Sequence, residues 1–151
     1  WSSDVCSSDL YDFDLIQAPA NVLDQRLVSG GQLARLKARG VEVHLRSVFL
    51  QGLLLLDPAA APAYFEPVRP RLAAWRQALD AAGLTPAQGA LAFARSLDAD
   101  VVLVGVENAA QLEANLRDFA AAAAAAAGLD FAAFALDDEK YVNPGKWELA
   151  A

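Results

Sequence analysis

The sequence predicts an α/β fold with a parallel sheet, on three observations. Three short segments rich in β-branched or aromatic residues are each followed by a helical pattern. The stretches between them are long enough to cross over a sheet and return parallel, which a tight hairpin turn could not do. The third segment is a continuous apolar run, the pattern of a strand buried on both faces of a parallel sheet.

The elements follow in chain order. The first strand is expected over Asp12–Gln17 (DFDLIQ). A helix over Gly31–Arg39 carries Leu33, Leu36 and Lys37 at helical spacing and stops at Gly40, a favoured C-terminal residue. The second strand, Val41–Ser47 (VEVHLRS), alternates: Val41, Val43 and Leu45 fall on one side, Glu42, His44 and Arg46 on the other. A loop containing Pro58, Pro62, Pro67 and Pro70 leads to a helix over Arg71–Ala82, closed by Gly83. Thr85 and Pro86 are the N-cap and first position of another helix, continuing over Ala87–Leu97. The third strand is Asp100–Gly105 (DVVLVG), and a helix from Ala109 to about Ala127 follows. Its alanine run, Ala120–Ala127, reads as helix filler rather than as a binding face.

Composition sets outer limits. The chain has 151 residues, 56% hydrophobic and 21% charged, enough for one modest domain and too apolar for a disordered chain. Twelve basic against 19 acidic side chains give a formal charge of −7, the wrong sign for a general nucleic-acid binder. No run approaches the roughly 18 apolar residues of a membrane span.

Residues 1–10 (WSSDVCSSDL) share neither periodicity nor character with the aliphatic chain that follows. They match the translation of a sequencing-library adapter, TGG AGT TCA GAC GTG TGC TCT TCC GAT CT, and are set aside as foreign. Without them the native part, residues 11–151, carries −5 rather than −7 over 141 residues and loses Cys6, the only cysteine. A lone-cysteine nucleophile or redox site is thereby removed, and a cysteine-free chain fits a cytoplasmic origin. The sequence contains no Met, and three strands are few for a parallel sheet. Both point to a piece of a longer protein.

In α/β folds, function gathers at the carboxyl ends of parallel strands, and each expected strand ends in suitable groups. These are Gln17 on the first strand, Arg46 and Ser47 on the second, and Gly105 with Glu107 and Asn108 beyond the third. A side-chain amide can donate to and accept from a carboxamide or a sugar. A serine with nearby backbone amides suits a pyrophosphate, and a glycine before a helix lets phosphate approach the N-terminal amides. Each also has a structural reading: Gln17 as an interior polar residue, Ser47 as a loop cap, Gly105 as a turn glycine. Their joint placement on one rim suggests a nucleotide site. The chain has neither GxGxxG nor a P-loop. His44, the only histidine, reads as a hydrogen-bonded interior residue rather than a catalytic base, and Trp75 as packing. One histidine and no native cysteine give no transition-metal site.

Three segments carry a family resemblance: DLIQAPANVLDQR (residues 14–26), RSVFLQGLL (46–54) and VGVENAAQLEAN (104–115). In order and spacing they resemble the sixth, seventh and eighth strand regions of the aldo/keto reductases. The likeness covers about residues 11–120. Beyond Gly128 only Asn143, Pro144 and Trp147 resemble the family's C-terminal segment.

The resemblance implies the C-terminal fragment of a (β/α)8 TIM barrel that binds NADPH or NADH at its strand carboxyl ends and reduces a small carbonyl substrate. By that likeness Gln17 would hold the nicotinamide carboxamide. Ser47, Phe49 and the stretch to Gly52 would line the pyrophosphate loop. Gly105, Glu107 and Asn108 would lie at the adenosine end, and Asn115 at adenine. Two positions depart from the family pattern. Arg46 stands where many members stack a tyrosine on the nicotinamide, and Gln111 stands where many hold a 2′-phosphate with arginine, which blurs the choice between NADP and NAD. The family's catalytic Asp, Tyr, Lys and His belong to earlier strands, and Tyr11, Tyr64 and Tyr141 do not match the tyrosine. The chain alone is therefore expected to be inactive, to bind NADPH weakly and to aggregate through unpaired strand edges. The competing expectation is a non-catalytic, nucleotide-sensing or channel-associated barrel subunit.

Overall fold

The computed structural model describes residues 12–125 and 128–148; the reading of residues 1–10, Tyr11 and the last two alanines of the alanine run lie outside them. Three strands form one parallel sheet in chain order: β1 (Leu15–Pro19), β2 (Glu42–Arg46) and β3 (Val101–Val102). The helices are α1 (Arg26–Ser29), α2 (Gln32–Ala38), α3 (Arg69–Ala82), α4 (Pro86–Ser96), α5 (Ala109–Ala125) and α6 (Glu139–Val142). The α/β class expected from the sequence is what the chain adopts.

The alternation read in β2 holds. Val41, Val43 and Leu45 are buried, while Glu42 and Arg46 are exposed and His44 is half-buried. Register carries that division across the sheet: Gln17 pairs with His44, which in turn pairs with Val101, and Ala18 with Leu45, which pairs with Val102. Since side chains in register share a face, Ile16, Ala18, Val43, Leu45 and Val102 join the core with Leu33 and Leu36 of α2. Leu15, Gln17, Glu42, His44, Arg46 and Val101 lie on the opposite face, where they are exposed or half-buried.

All three strands differ from the sequence reading in their bounds: β2 spans Glu42–Arg46 rather than Val41–Ser47, because Ser47 at φ 61° has left the extended region. β1 begins at Leu15 rather than Asp12 and runs on through Gln17 to Pro19. Its bounds are set by its partner: Leu15 lies opposite Glu42 and Pro19 opposite Arg46, the first and last residues of β2. Proline, lacking an N–H, is tolerated at the end of this edge strand. β3 is shorter than Asp100–Gly105, although the Leu103 N–H still donates to the Leu45 carbonyl at 2.8 Å. Its apolar run is half-buried instead of covered on both faces, and β3 has a strand neighbour on one side only.

Asp100 fixes the start of β3. Its carboxylate accepts from Lys37 Nζ at 2.6 and 2.7 Å and from the Val43 N–H at 2.7 Å, tying α2, β2 and β3 together. The Lys37 ammonium, and then the Val43 N–H, hold the Asp100 carboxyl below the usual carboxylate range.

Between β2 and β3 the expected helix pair is present. Pro70 sits in the first turn of α3, which starts at Arg69 rather than Arg71, as suits a residue with fixed φ and no N–H to satisfy. Thr85 and Gln88 form a reciprocal capping box on α4. Gly89 lies where α4 crosses α3: a Cβ there would fall 2.2 Å from Leu79 Cδ2 and 2.8 Å from the Trp75 ring. Trp75 is fully buried and meets Phe134 edge-on at 5.2 Å, confirming its packing role.

The carboxyl segment, read from sequence without elements, docks as short capped turns. Asp130, Asp138 and Asn143 cap Phe131–Phe134, α6 and Pro144–Lys146 respectively. It is joined to the turn after β1 at three points. Leu136 N–H donates to the Leu23 carbonyl (2.8 Å), Gln25 Nε2 to the Phe131 carbonyl (2.6 Å), and Arg26 Nη1 to Glu139 Oε1 (2.6 Å).

Candidate functional site

Parallel pairing in chain order puts the segments after β1, β2 and β3 side by side on one rim. The segment after β2 has unusual backbone. Ser47, Leu50 and Gln51 take positive φ (61°, 46° and 52°), a region that costs any side chain with a Cβ, and Gly52 follows at 85°. The loop is closed by its own turns: the Leu50 N–H donates to the Ser47 carbonyl at 2.9 Å, and the Gly52 N–H to the Phe49 carbonyl at 3.0 Å. Val48 and Leu50 are buried and Phe49 is half-buried against the core, so three apolar side chains pin the loop beneath the exposed Gln51.

The turn after β1 explains how Ser47 is held. The Ala20 N–H donates to the Arg46 carbonyl at 3.1 Å, the last backbone rung between the two segments. One residue on, Asn21 takes over: its Nδ2 donates to the Ser47 carbonyl at 3.2 Å. Its Oδ1 accepts from the Leu23 and Asp24 N–H groups, both at 3.0 Å. Asn21 and Asp24 are the buried polar residues of the described chain. Asp24 receives Arg26 at both carboxylate oxygens (2.8 and 2.9 Å), and Arg26 continues to Glu139, which also pairs with Lys146. Paired acidic neighbours raise the Arg26 pKa, the Asp24 bond contributing most. The Lys146 ammonium, and then Arg26, hold the Glu139 carboxyl below its ordinary value.

The expected site residues divide into two groups. Gln17 lies on the open face, two residues before the end of β1 rather than at it, and is exposed beside His44. His44 is hydrogen-bonded as expected, with Nε2 at 2.7 Å from Glu42 Oε1, but on the open face and not inside the packed core. Arg46 is exposed at the end of β2, with Nη1 at 3.4 Å from Ser47 Oγ. Of this first group Arg46 leads directly into the β2 loop, to which Ser47, Phe49 and Gly52 belong, whereas Gln17 lies opposite His44, three residues before Ser47.

The second group follows β3. Gly105 lies three residues past the strand and is exposed, as are Glu107, Asn108 and Gln111. Asn108 Oδ1 accepts from the Gln111 N–H (2.9 Å), and Gln111 Oε1 accepts in return from the Glu107 N–H (2.8 Å). The two side chains thus cap α5, and Asn108, Gln111 and Asn115 share one helix face by their spacing. Neither described tyrosine offers a phenol to this rim. The Tyr64 hydroxyl is shared between the Lys140 and Lys146 carbonyls, and Tyr141 is buried beside it.

Sequence reasoning missed Asn21, Asp24 and Arg26 as a unit. A signal was present: an Asn and an Asp three apart, just past a strand and embedded in apolar residues, is the pattern of a side chain closing a backbone turn. Among the described residues no group of three or more His, Cys, Asp or Glu could hold a metal ion, and no helix is long and apolar enough to cross a membrane.

Fold and rim together define an α/β unit with helices on one face of a parallel sheet and polar groups along its carboxyl edge. No protein-family model matches the chain, and no curated protein matches it.

Proposed function

We propose that the chain is the cofactor-binding C-terminal part of an NAD(P)H-dependent oxidoreductase of the aldo/keto reductase class, a (β/α)8 barrel reducing an aldehyde or ketone in the cytoplasm. The observation that carries this reading is the strained Ser47–Gly52 loop at the carboxyl end of the central strand, flanked on the same rim by the segments after β1 and β3. Chain-order parallel neighbours with helices on one face are also what a barrel wall requires; there the open face bearing Gln17, His44 and Arg46 would line the interior.

The groups present fit a dinucleotide. Gln17 is exposed, and its amide can both donate to and accept from a carboxamide. The Ser47 hydroxyl and loop backbone suit a pyrophosphate, and the capped start of α5 offers a helix N-terminus to the adenosine-side phosphate. Arg46, planar and cationic, can lie against the nicotinamide. Gln111, neutral and turned back onto the Glu107 N–H, supplies no charge for a 2′-phosphate. When bound, the cofactor supplies the hydride. Of the described tyrosines, Tyr64 spends its hydroxyl on the Lys140 and Lys146 carbonyls and Tyr141 is buried beside it, so the proton donor to the carbonyl oxygen would come from the family's earlier strands.

Two measurements test the proposal. Amide spectra of the 151-residue chain titrated with NADPH or NADH should move at Gln17, Ser47–Gly52 and Gly105–Asn115, with weak affinity; no movement there at millimolar nucleotide refutes the site. Sequencing the source locus across residue 10 should reveal further strands and a catalytic Tyr, Lys, Asp and His. A reading frame that encodes residues 1–10 as they stand, with no strands before them, refutes the barrel.

A further inference from the structure

We infer that Asn21 is a positioning residue for the nucleotide site: its side-chain amide holds Ser47 in the left-handed conformation and thereby sets the shape of the loop through Gly52. The inference rests on the reading of that loop as the pyrophosphate-binding segment. It is not a contact of the cofactor itself.

The geometry argues it in three steps. First, β2 cannot extend past Arg46, because Ser47 at φ 61° has left the extended region. The backbone ladder ends with Ala20 and Arg46, and the side chain of Asn21 supplies the next rung, to the Ser47 carbonyl. Second, that carbonyl has two acceptor sites and uses both, one for Asn21 and one for the Leu50 N–H that closes the loop. The two donors together fix the orientation of the peptide after Ser47, which is what keeps a residue with a Cβ in a region glycine would adopt freely. Third, Asn21 cannot turn away. It is fully buried, and its Oδ1 is fixed by two N–H groups, so Nδ2 must point at Ser47.

The test uses the intact chain. Asn21→Ser keeps an acceptor for the turn at Leu23 and Asp24 while withdrawing the donor to Ser47; Asn21→Ala removes both. In the absence of nucleotide, Asn21→Ser should shift the amide resonances of Val48–Gly52 and speed exchange of the Leu50 amide about tenfold relative to amides of α3 and α4. Ser47→Gly, which relieves the left-handed cost, should return at least half of that effect in the double variant. With NADPH, Asn21→Ser should weaken the response at Ser47–Gly52 while leaving that at Gln17.

A change spread evenly over all amides, or no coupling between positions 21 and 47, would show that Asn21 merely closes its own turn, and overturns the inference. If Asn21→Ala fails to fold, the serine variant and the Ser47→Gly coupling still decide. A loop that changes shape in these variants but never responds to NADPH would leave the positioning role standing and refute the proposed function instead.

Discussion

Removing Arg26 should be among the most damaging single changes in this chain, because of what it leaves behind. The Asp24 side chain is 2% exposed and takes Arg26 at both oxygens, while Arg26 itself is 31% exposed. In Arg26→Ala the carboxylate stays buried without its partner, a fault worth about 3–5 kcal/mol when both groups are deeply buried. The partial exposure of the guanidinium argues for the low end, about 3 kcal/mol. The lost bond to Glu139 adds little, because Glu139 keeps Lys146. For a chain of this size the change corresponds to a drop of roughly 6–12 °C in Tm. Thermal and urea denaturation followed by circular dichroism would measure it. The double variant Asp24→Asn, Arg26→Ala removes the orphaned charge and should regain at least half the loss. A single variant within about 1 kcal/mol of the parent, or a double variant no better than the single, would refute the argument that an unpaired buried charge sets the cost.

Three further outcomes are expected. Gly89→Ala should destabilise by about 1–3 kcal/mol in urea despite alanine's better helix propensity, because its Cβ meets Leu79 and the rigid Trp75 ring. Thr85→Ala should cost about 1 kcal/mol by breaking the α4 capping box, with faster exchange confined to the first turn of α4. Asp100 and Glu139 have folded pKa values below their ordinary 3.8 and 4.5, so the stability they contribute is present above those values and is lost as pH falls through the lower folded ones. Denaturation midpoints should therefore fall steeply below about pH 4, and Asp100→Asn should flatten that limb. A midpoint flat into strong acid would contradict it.

Elements whose signal is local were legible in the sequence. Thr85–Pro86 starts α4 where expected, because the capping pattern is complete within four residues. The alternation of Val41, Val43 and Leu45 gave the buried face of β2 directly, since strand periodicity is written in consecutive residues. Strand ends were less legible. β1 ends at Pro19 rather than Gln17 because Arg46 lies opposite, and β3 is short because only His44 and Leu45 of β2 pair with it, neither of which is visible within its own segment. The docked turns from Phe131 to Lys146 run only three or four residues each, too few to show an amphipathic pattern.

The candidate site divides the same way. Gln17, Arg46, Ser47, Gly105 and Asn108 could be chosen from sequence because each is a polar or small residue just past an apolar segment. The sequence by itself determined the α/β class and the buried face of the central strand, since these follow from periodicity and local chemistry, but it set Gln17 at a strand end where the structure has it two residues inside β1. Only the tertiary structure decided that Ser47 begins a left-handed loop and that Asn21, 26 residues earlier, is what holds it there. A hydrogen bond across a sheet depends on register, and register is set by the packing of the whole face rather than by any one segment.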